Sequence, residues 1–122
     1  MPSDSDTTVA ALRQVCQDFC DARDWRQYHD PKDVALCLSV EVGEILDLFR
    51  FKKEAAIDSD LQDPARRERL ADEMADVLYW LLMLSLRCDV DLSQALRQKM
   101  AKNEARYPVP LAYGRNVKYT DL

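Results

Sequence analysis

Glycine is scarce in this chain, with two in 122 residues, and five prolines supply most of the remaining punctuation. A sequence so rarely interrupted favours long helices joined by short turns, and Ala, Leu, Glu, Arg, Lys and Met dominate its patterned stretches. Histidine occurs once and no CxxC pair is present, so Cys16, Cys20, Cys37 and Cys88 read as buried, reduced thiols. A basic excess is missing too. With 17 Lys and Arg against 22 Asp and Glu, the formal charge is -5, which argues against a general nucleic-acid binder. A phosphorylated substrate would need something cationic to offset these acids. The longest apolar run, Val77 to Leu86, is interrupted only by Ser85 and has about half the length needed to cross a bilayer, so no membrane partner is expected. No basic leader with a small-residue cleavage site opens the chain, Met1 to Thr8 being merely polar, and a cytoplasmic location is expected. Internal repeats and low-complexity linkers are absent as well. One domain over residues 1–122 is the expectation, with residues 1–7 and about 109–122 as non-helical ends.

What is present is helical periodicity. Val9, Leu12, Val15, Cys16, Phe19 and Cys20 recur at spacings of three and four, predicting a first helix from about Thr8 to Asp24. Asp30-Pro31 supplies a cap followed by a proline in the first turn, and a second helix should run from there to about Lys53. From Val34 to Phe49 it is apolar around nearly its whole circumference, which predicts a central helix. Asp58 to Asp63 reads as a polar loop, and Asp63-Pro64 starts a third helix reaching about Cys88. Asp91, followed three residues later by Gln94, caps a fourth, which Pro108 ends. The fold class expected is all-α, a four-helix bundle. Val77 to Leu84 is apolar on every side, more surface than three partners of this length easily cover, so a homo-oligomer is expected.

Two acid pairs stand out. Glu41 and Glu44 lie three apart on the second helix, and Glu73 and Asp76 three apart on the third, so each pair shares a face with Cβ atoms roughly 5–6 Å apart. Cys37, Val40 and Leu48 are interleaved with the first pair, an apolar setting for charge. If the two faces meet, four carboxylates converge. At an effective dielectric of ~20 and a separation of ~5 Å, each like-charge pair costs about 3 kcal/mol, and several such pairs approach the stability of a domain. A site of that kind needs cations, and oxygen-only ligands suit Mg²⁺ or Mn²⁺ sharing its coordination with substrate phosphates. The bland alternative is a solvated face, where most charges sit. A di-iron bundle would call for Glu-x-x-His pairs, and the single His29 is remote from both acid pairs in sequence.

Glu41-Val42-Gly43-Glu44, followed after 28 residues by Glu73-Met74-Ala75-Asp76, resembles the ExxE and ExxD signature of the MazG-like all-α NTP pyrophosphatases. Within that family the likeness runs to the branch that cleaves dCTP. It is carried by Arg23-Asp24-Trp25, Tyr28-His29, Asp76-Val77-Leu78, Arg87-Cys88, Val90-Asp91-Leu92, Lys99-Met100, Arg106-Tyr107-Pro108 and Lys118-Tyr119-Thr120, and so covers nearly everything after residue 15. The resemblance implies a four-helix fold assembled as a dimer or tetramer. It also implies a Mg²⁺-dependent cleavage, with Mn²⁺ as a substitute, in which water attacks the α-phosphorus of a nucleoside triphosphate and pyrophosphate leaves. Carried over by position, Glu41, Glu44, Glu73 and Asp76 would be metal ligands, and Glu41 or Glu44 would orient the water. A non-catalytic nucleotide-binding or oligomeric interaction module on the same fold is the alternative, against which the intact acids speak.

Trp25, His29, Phe51 and Trp80 fall where the resembled enzymes surround the base and sugar, a task that aromatic faces suit. For Trp80, inside an apolar helix, a core role is the competing reading; for His29 it is a structural hydrogen bond. The resembled enzymes carry Trp at position 51 and Tyr at position 80, so the base preference need not be the same here. Lys99 and Asn103 would touch phosphate or sugar by the same resemblance. Near the end of a helix, Lys99 and Arg106 also suit the macrodipole.

Overall fold

The structure is a computed structural model that describes all of residues 1–122. It is all-α, as expected, and falls into two compact units, Met1–Asp89 and Val90–Leu122. The first contains α1 (Val9–Asp21), α2 (Pro31–Phe49), α3 (Glu54–Gln62) and α4 (Pro64–Arg87), with one 3-10 turn at Arg26–Tyr28. The second contains α5 (Leu92–Arg106), a short α6 (Val109–Ala112) and a 3-10 turn at Tyr119–Asp121.

Four of the helices, α1, α2, α4 and α5, begin where the sequence supplies an acceptor for orphaned backbone donors. Asp30 accepts from the Asp33 amide at 2.9 Å, Asp63 from Ala65 at 3.0 Å and Asp91 from Gln94 at 2.9 Å, with Pro31 and Pro64 in the first turns of α2 and α4. Thr8 does the same for α1 through Ala11 at 3.1 Å. Helix ends follow from backbone conformation. Asp24, Phe51 and Asp89 all have positive φ, and each lies just beyond a helix C-terminus. Asp tolerates that conformation; for Phe51, at φ 63°, it costs about 1–2 kcal/mol. The second helix therefore stops at Phe49, short of the expected Lys53.

Four expectations need correction. Of the four thiols expected to be buried only Cys20 is, with Cys16 and Cys37 half-buried and Cys88 exposed at the end of α4. Residues 58–62 are not a loop, because α3 occupies Glu54–Gln62 and leaves only Asp63 between it and α4. Its polar sequence hides the pair Ile57 and Leu61, four apart and half-buried, and Asp60, which receives both Lys52 and Arg66. The expected irregular tail carries helical turns at 109–112 and 119–121, held within the second unit by the Tyr119 amide on the Tyr107 hydroxyl at 3.2 Å and by Arg106 lying 4.8 Å from the Tyr119 ring. The hub of the first unit is α4, against which α1, α2 and α3 all pack, and not α2. The apolar circumference of α2 is accordingly open on one side, with Leu36, Val40 and Leu46 exposed.

The core of the first unit is small. Cys20, Val34 and Met83 are fully buried, with Cys16, Tyr79, Trp80, Leu84 and Leu86 packed against them. It lies where α1, the start of α2 and α4 meet, with Met83 about two turns along α4 from Asp76 and nearly three from Glu73.

Candidate metal and nucleotide site

The pairing of α2 with α4 brings the two acid pairs face to face. Carboxylate oxygens of Glu41, Glu73 and Asp76 lie within 4.8 Å of one another, Glu41 and Glu73 half-buried and Asp76 exposed. Glu44 is outside this set, yet close enough for its charge to be felt at Glu41. Burial raises the proton affinity of Glu41 above the usual carboxylate range, and Asp76, Glu73 and Glu44 push it further in that order. A hydrogen bond from the Trp80 side chain pulls the other way. No Lys or Arg forms an ion pair with these carboxylates. An oxygen-only set of mutually repelling, partly buried carboxylates fits a hard divalent cation, which would remove the repulsion that the protein leaves uncompensated.

Beside the acids opens a cleft of about 530 Å³, lined by Glu41 and Asp76 together with Val15, Cys16, Phe19, Trp25, Ala75, Tyr79 and Trp80. Its aromatic walls are braced edge to face. Phe19 meets Trp25 at 5.7 Å and Tyr79 at 6.1 Å between ring centroids, and Tyr79 meets Trp80 at 5.0 Å. The Arg23 guanidinium covers the Phe19 ring at 3.8 Å from its centroid. Such a space, carboxylates at one edge and ring faces around it, can hold a flat aromatic group near a cation.

Of the residues singled out in the sequence, the structure brings Trp25 and Trp80 into one cleft with Glu41 and Asp76, and Glu73 into the same acid cluster. Others stand elsewhere. His29 is only 9% exposed and does not line the cleft. Phe51 is 96% exposed, with the Arg50 guanidinium 5.2 Å from its ring centroid. Lys99 and Asn103 lie on α5 in the second unit, Lys99 exposed and Asn103 half-buried with its amide 3.9 Å from the Met100 sulfur. Phe19 and Tyr79 are cleft residues that sequence reasoning did not assign to a site. The available signal was their placement: Phe19 shares the i, i+3, i+4 face of α1 with Val15 and Cys16, and Tyr79 follows Asp76 by three.

Residues 36–122 match the model of the MazG-like family. The dCTP pyrophosphatase 1 of Rattus norvegicus is 42% identical over 115 residues, covering 94% of this chain and 68% of the relative. The Bos taurus protein of the same name is 41% identical over 97% of this chain and 70% of its own length. The Homo sapiens one is 39% identical over 94% and 68%. Among solved structures, a pyrophosphatase from Archaeoglobus fulgidus superposes with a TM-score of 0.72 at 34% identity, covering 80% of this chain and 89% of that one. No helix of this chain is long and apolar enough to cross a membrane.

Proposed function

The chain belongs to the MazG-like family, and from that premise we propose that it is a nucleoside triphosphate pyrophosphohydrolase, cleaving dCTP or a related, including base-modified, nucleotide to the monophosphate and pyrophosphate. The observation that carries the reading is the meeting of Glu41, Glu73 and Asp76 within 4.8 Å at the edge of an aromatic cleft. The metal ligands are these three carboxylates with Glu44 beside them, and Mg²⁺, or Mn²⁺ in its place, is the ion. When bound, that ion supplies the positive charge that a triphosphate requires in a chain of formal charge -5.

The remaining work falls to the chain's own side chains. Trp25, Trp80, Phe19 and Tyr79 enclose the base, where stacking contributes ~1–3 kcal/mol per base. Asp76 and Glu41 line the same cleft, so a base held there leaves its phosphates at the acid edge. Glu41 and Glu44 share two tasks, holding the ion and orienting the water that attacks the α-phosphorus. The positioning of reactants at fixed distance is the main catalytic contribution of such a site. Leu36, Val40 and Leu46 of α2 and Met74 and Leu78 of α4, all exposed in the single chain, are covered in a homo-oligomer, a dimer or tetramer.

The test is to incubate the purified chain with each canonical and 5-modified nucleotide and Mg²⁺ or Mn²⁺, and to assay monophosphate and pyrophosphate. The expected result is release from dCTP or one of its modified forms ahead of purine nucleotides. Absence of pyrophosphate with every nucleotide and both ions refutes the reading.

A further inference from the structure

We propose that Arg69 binds the terminal phosphates of the nucleotide and, after cleavage, the departing pyrophosphate, in a basic cavity on the opposite side of the acid cluster from the aromatic cleft. The inference rests on the nucleotide reading given above, and adds to it a subsite for the leaving group.

Helices α2 and α4 set the order of the parts. Along α4, Arg66 and Arg69 come first, Glu73 and Asp76 follow one and two turns beyond Arg69, and Tyr79 and Trp80 come last. Along α2 the order is reversed: Glu41 lines the aromatic cleft, Glu44 follows, and Leu48 lines a second cavity. That cavity, of about 340 Å³, is bounded further by Lys52, by Asp60 of α3, and by Arg66 and Arg69. On both helices the acids therefore stand between the two spaces. At 100° per residue Arg66 and Arg69 fall within about 40° of Glu73, so these cations and the acid share one face of α4.

The three cations are not equivalent. Lys52 and Arg66 are both taken up by Asp60. Arg69 is exposed and forms no ion pair, although Asp72 and Glu73 stand three and four residues on. A cation placed N-terminal to its acid is the less favourable order for a helical pair, and the Arg69 guanidinium keeps a fork of donors matched to phosphate. With three cations against one acid, the cavity is locally positive in a chain of formal charge -5. An anion is the ligand such a cavity takes.

Which anion follows from reach. Four residues of helix separate Arg69 from Glu73, a rise of about 6 Å. A nucleotide with its base in the aromatic cleft has its α-phosphorus at the acids, so the β- and γ-phosphates are the part that extends past them. In the cleavage the water oxygen bonds to the α-phosphorus, the bond to the bridging oxygen breaks with its electron pair on the pyrophosphate, and one water proton passes to solvent. The charge that develops on the departing group is met by a cation already in place. A monophosphate is too short to reach it.

The test uses the full chain, excess Mg²⁺ and the nucleotide cleaved best by the wild type, with each product added back as an inhibitor. Arg69→Ala should raise KM for the triphosphate and the inhibition constant of pyrophosphate together, each on the order of ten-fold, the effect of losing a charge-assisted contact. Inhibition by the monophosphate should be unchanged, which a general loosening of the fold would not leave so. Arg69→Lys, which keeps the charge without the fork, should recover part of both losses. The inference is overturned if pyrophosphate does not inhibit the wild type, if it inhibits Arg69→Ala equally well, or if inhibition by both products weakens alike. A wild type that cleaves no nucleotide overturns the nucleotide reading itself. An active wild type whose constants are unaltered in Arg69→Ala overturns only the role of Arg69.

Discussion

Asp60 and Glu41 are both carboxylates set against apolar neighbours within the unit Met1–Asp89, yet the chain treats them in opposite ways. Asp60, with its side chain 17% exposed, receives Lys52 from the connection between α2 and α3 and Arg66 from the start of α4, and those hydrogen bonds hold its carboxyl below the usual carboxylate range. Glu41 is met by Glu73 and Asp76, and burial together with those charges raises it. The first acid is neutralised by the protein and ties α3 to its neighbours. The second is left for a cation from outside. Cost alone does not explain the difference, since a Lys or Arg on α2 or α4 could have relieved Glu41 as Lys52 and Arg66 relieve Asp60. An acid cluster kept without an internal partner therefore reads as a site rather than as scaffold.

The comparison predicts its largest contrast in activity. Glu73→Ala or Asp76→Ala should lower the rate of pyrophosphate release at least ~100-fold, because losing groups that merely support metal ligands already costs 10–100-fold. Asp60→Asn should stay close to the wild-type rate in the same assay. Equal losses in both would collapse the distinction.

A second contrast concerns pH in the absence of metal. Glu41 binds its proton more tightly in the folded state, so its contribution to stability is complete below its ordinary value of 4.5 and is lost as pH rises through the raised folded value. Asp60 runs the other way: its contribution is present above its ordinary value of 3.8 and is lost as pH falls through the depressed one. Glu41→Gln should thus raise the Tm of metal-free protein at about pH 7 and give no gain at about pH 4, while Asp60→Asn should lower it at about pH 7. Thermal melts across that range check both signs. A smaller effect is expected next to the paired region, at Phe51. Glycine adopts its positive φ without strain, so Phe51→Gly should raise stability by about 1 kcal/mol, read from urea unfolding, unless the ring is covered in an oligomer.

Much of this molecule could be read before its structure. The Asp-Pro starts at Asp30 and Asp63 and the Asp91 cap act through local backbone chemistry, which sequence expresses directly. The two acid pairs were legible because a spacing of three fixes a helix face whatever packs against it. Helix α3 was not legible, since its support comes from Lys52 and Arg66 outside the segment. The role of α2 was overstated for a related reason: an apolar circumference states what wants covering, not which helix covers it. Phe19 and Tyr79 showed the same ambiguity. Periodicity marks a side chain as facing inward, but whether it meets a core or a cleft depends on what stands opposite.

The central claim is that Glu41, Glu73 and Asp76 are gathered to hold a divalent cation. The direct test is titration of the metal-free protein with Mn²⁺, followed by the loss of its free-ion paramagnetic signal. Saturable binding to the wild type and to Asp60→Asn, abolished in Glu73→Gln, is the predicted result. No saturable binding to the wild type, or undiminished binding to Glu73→Gln, would contradict it.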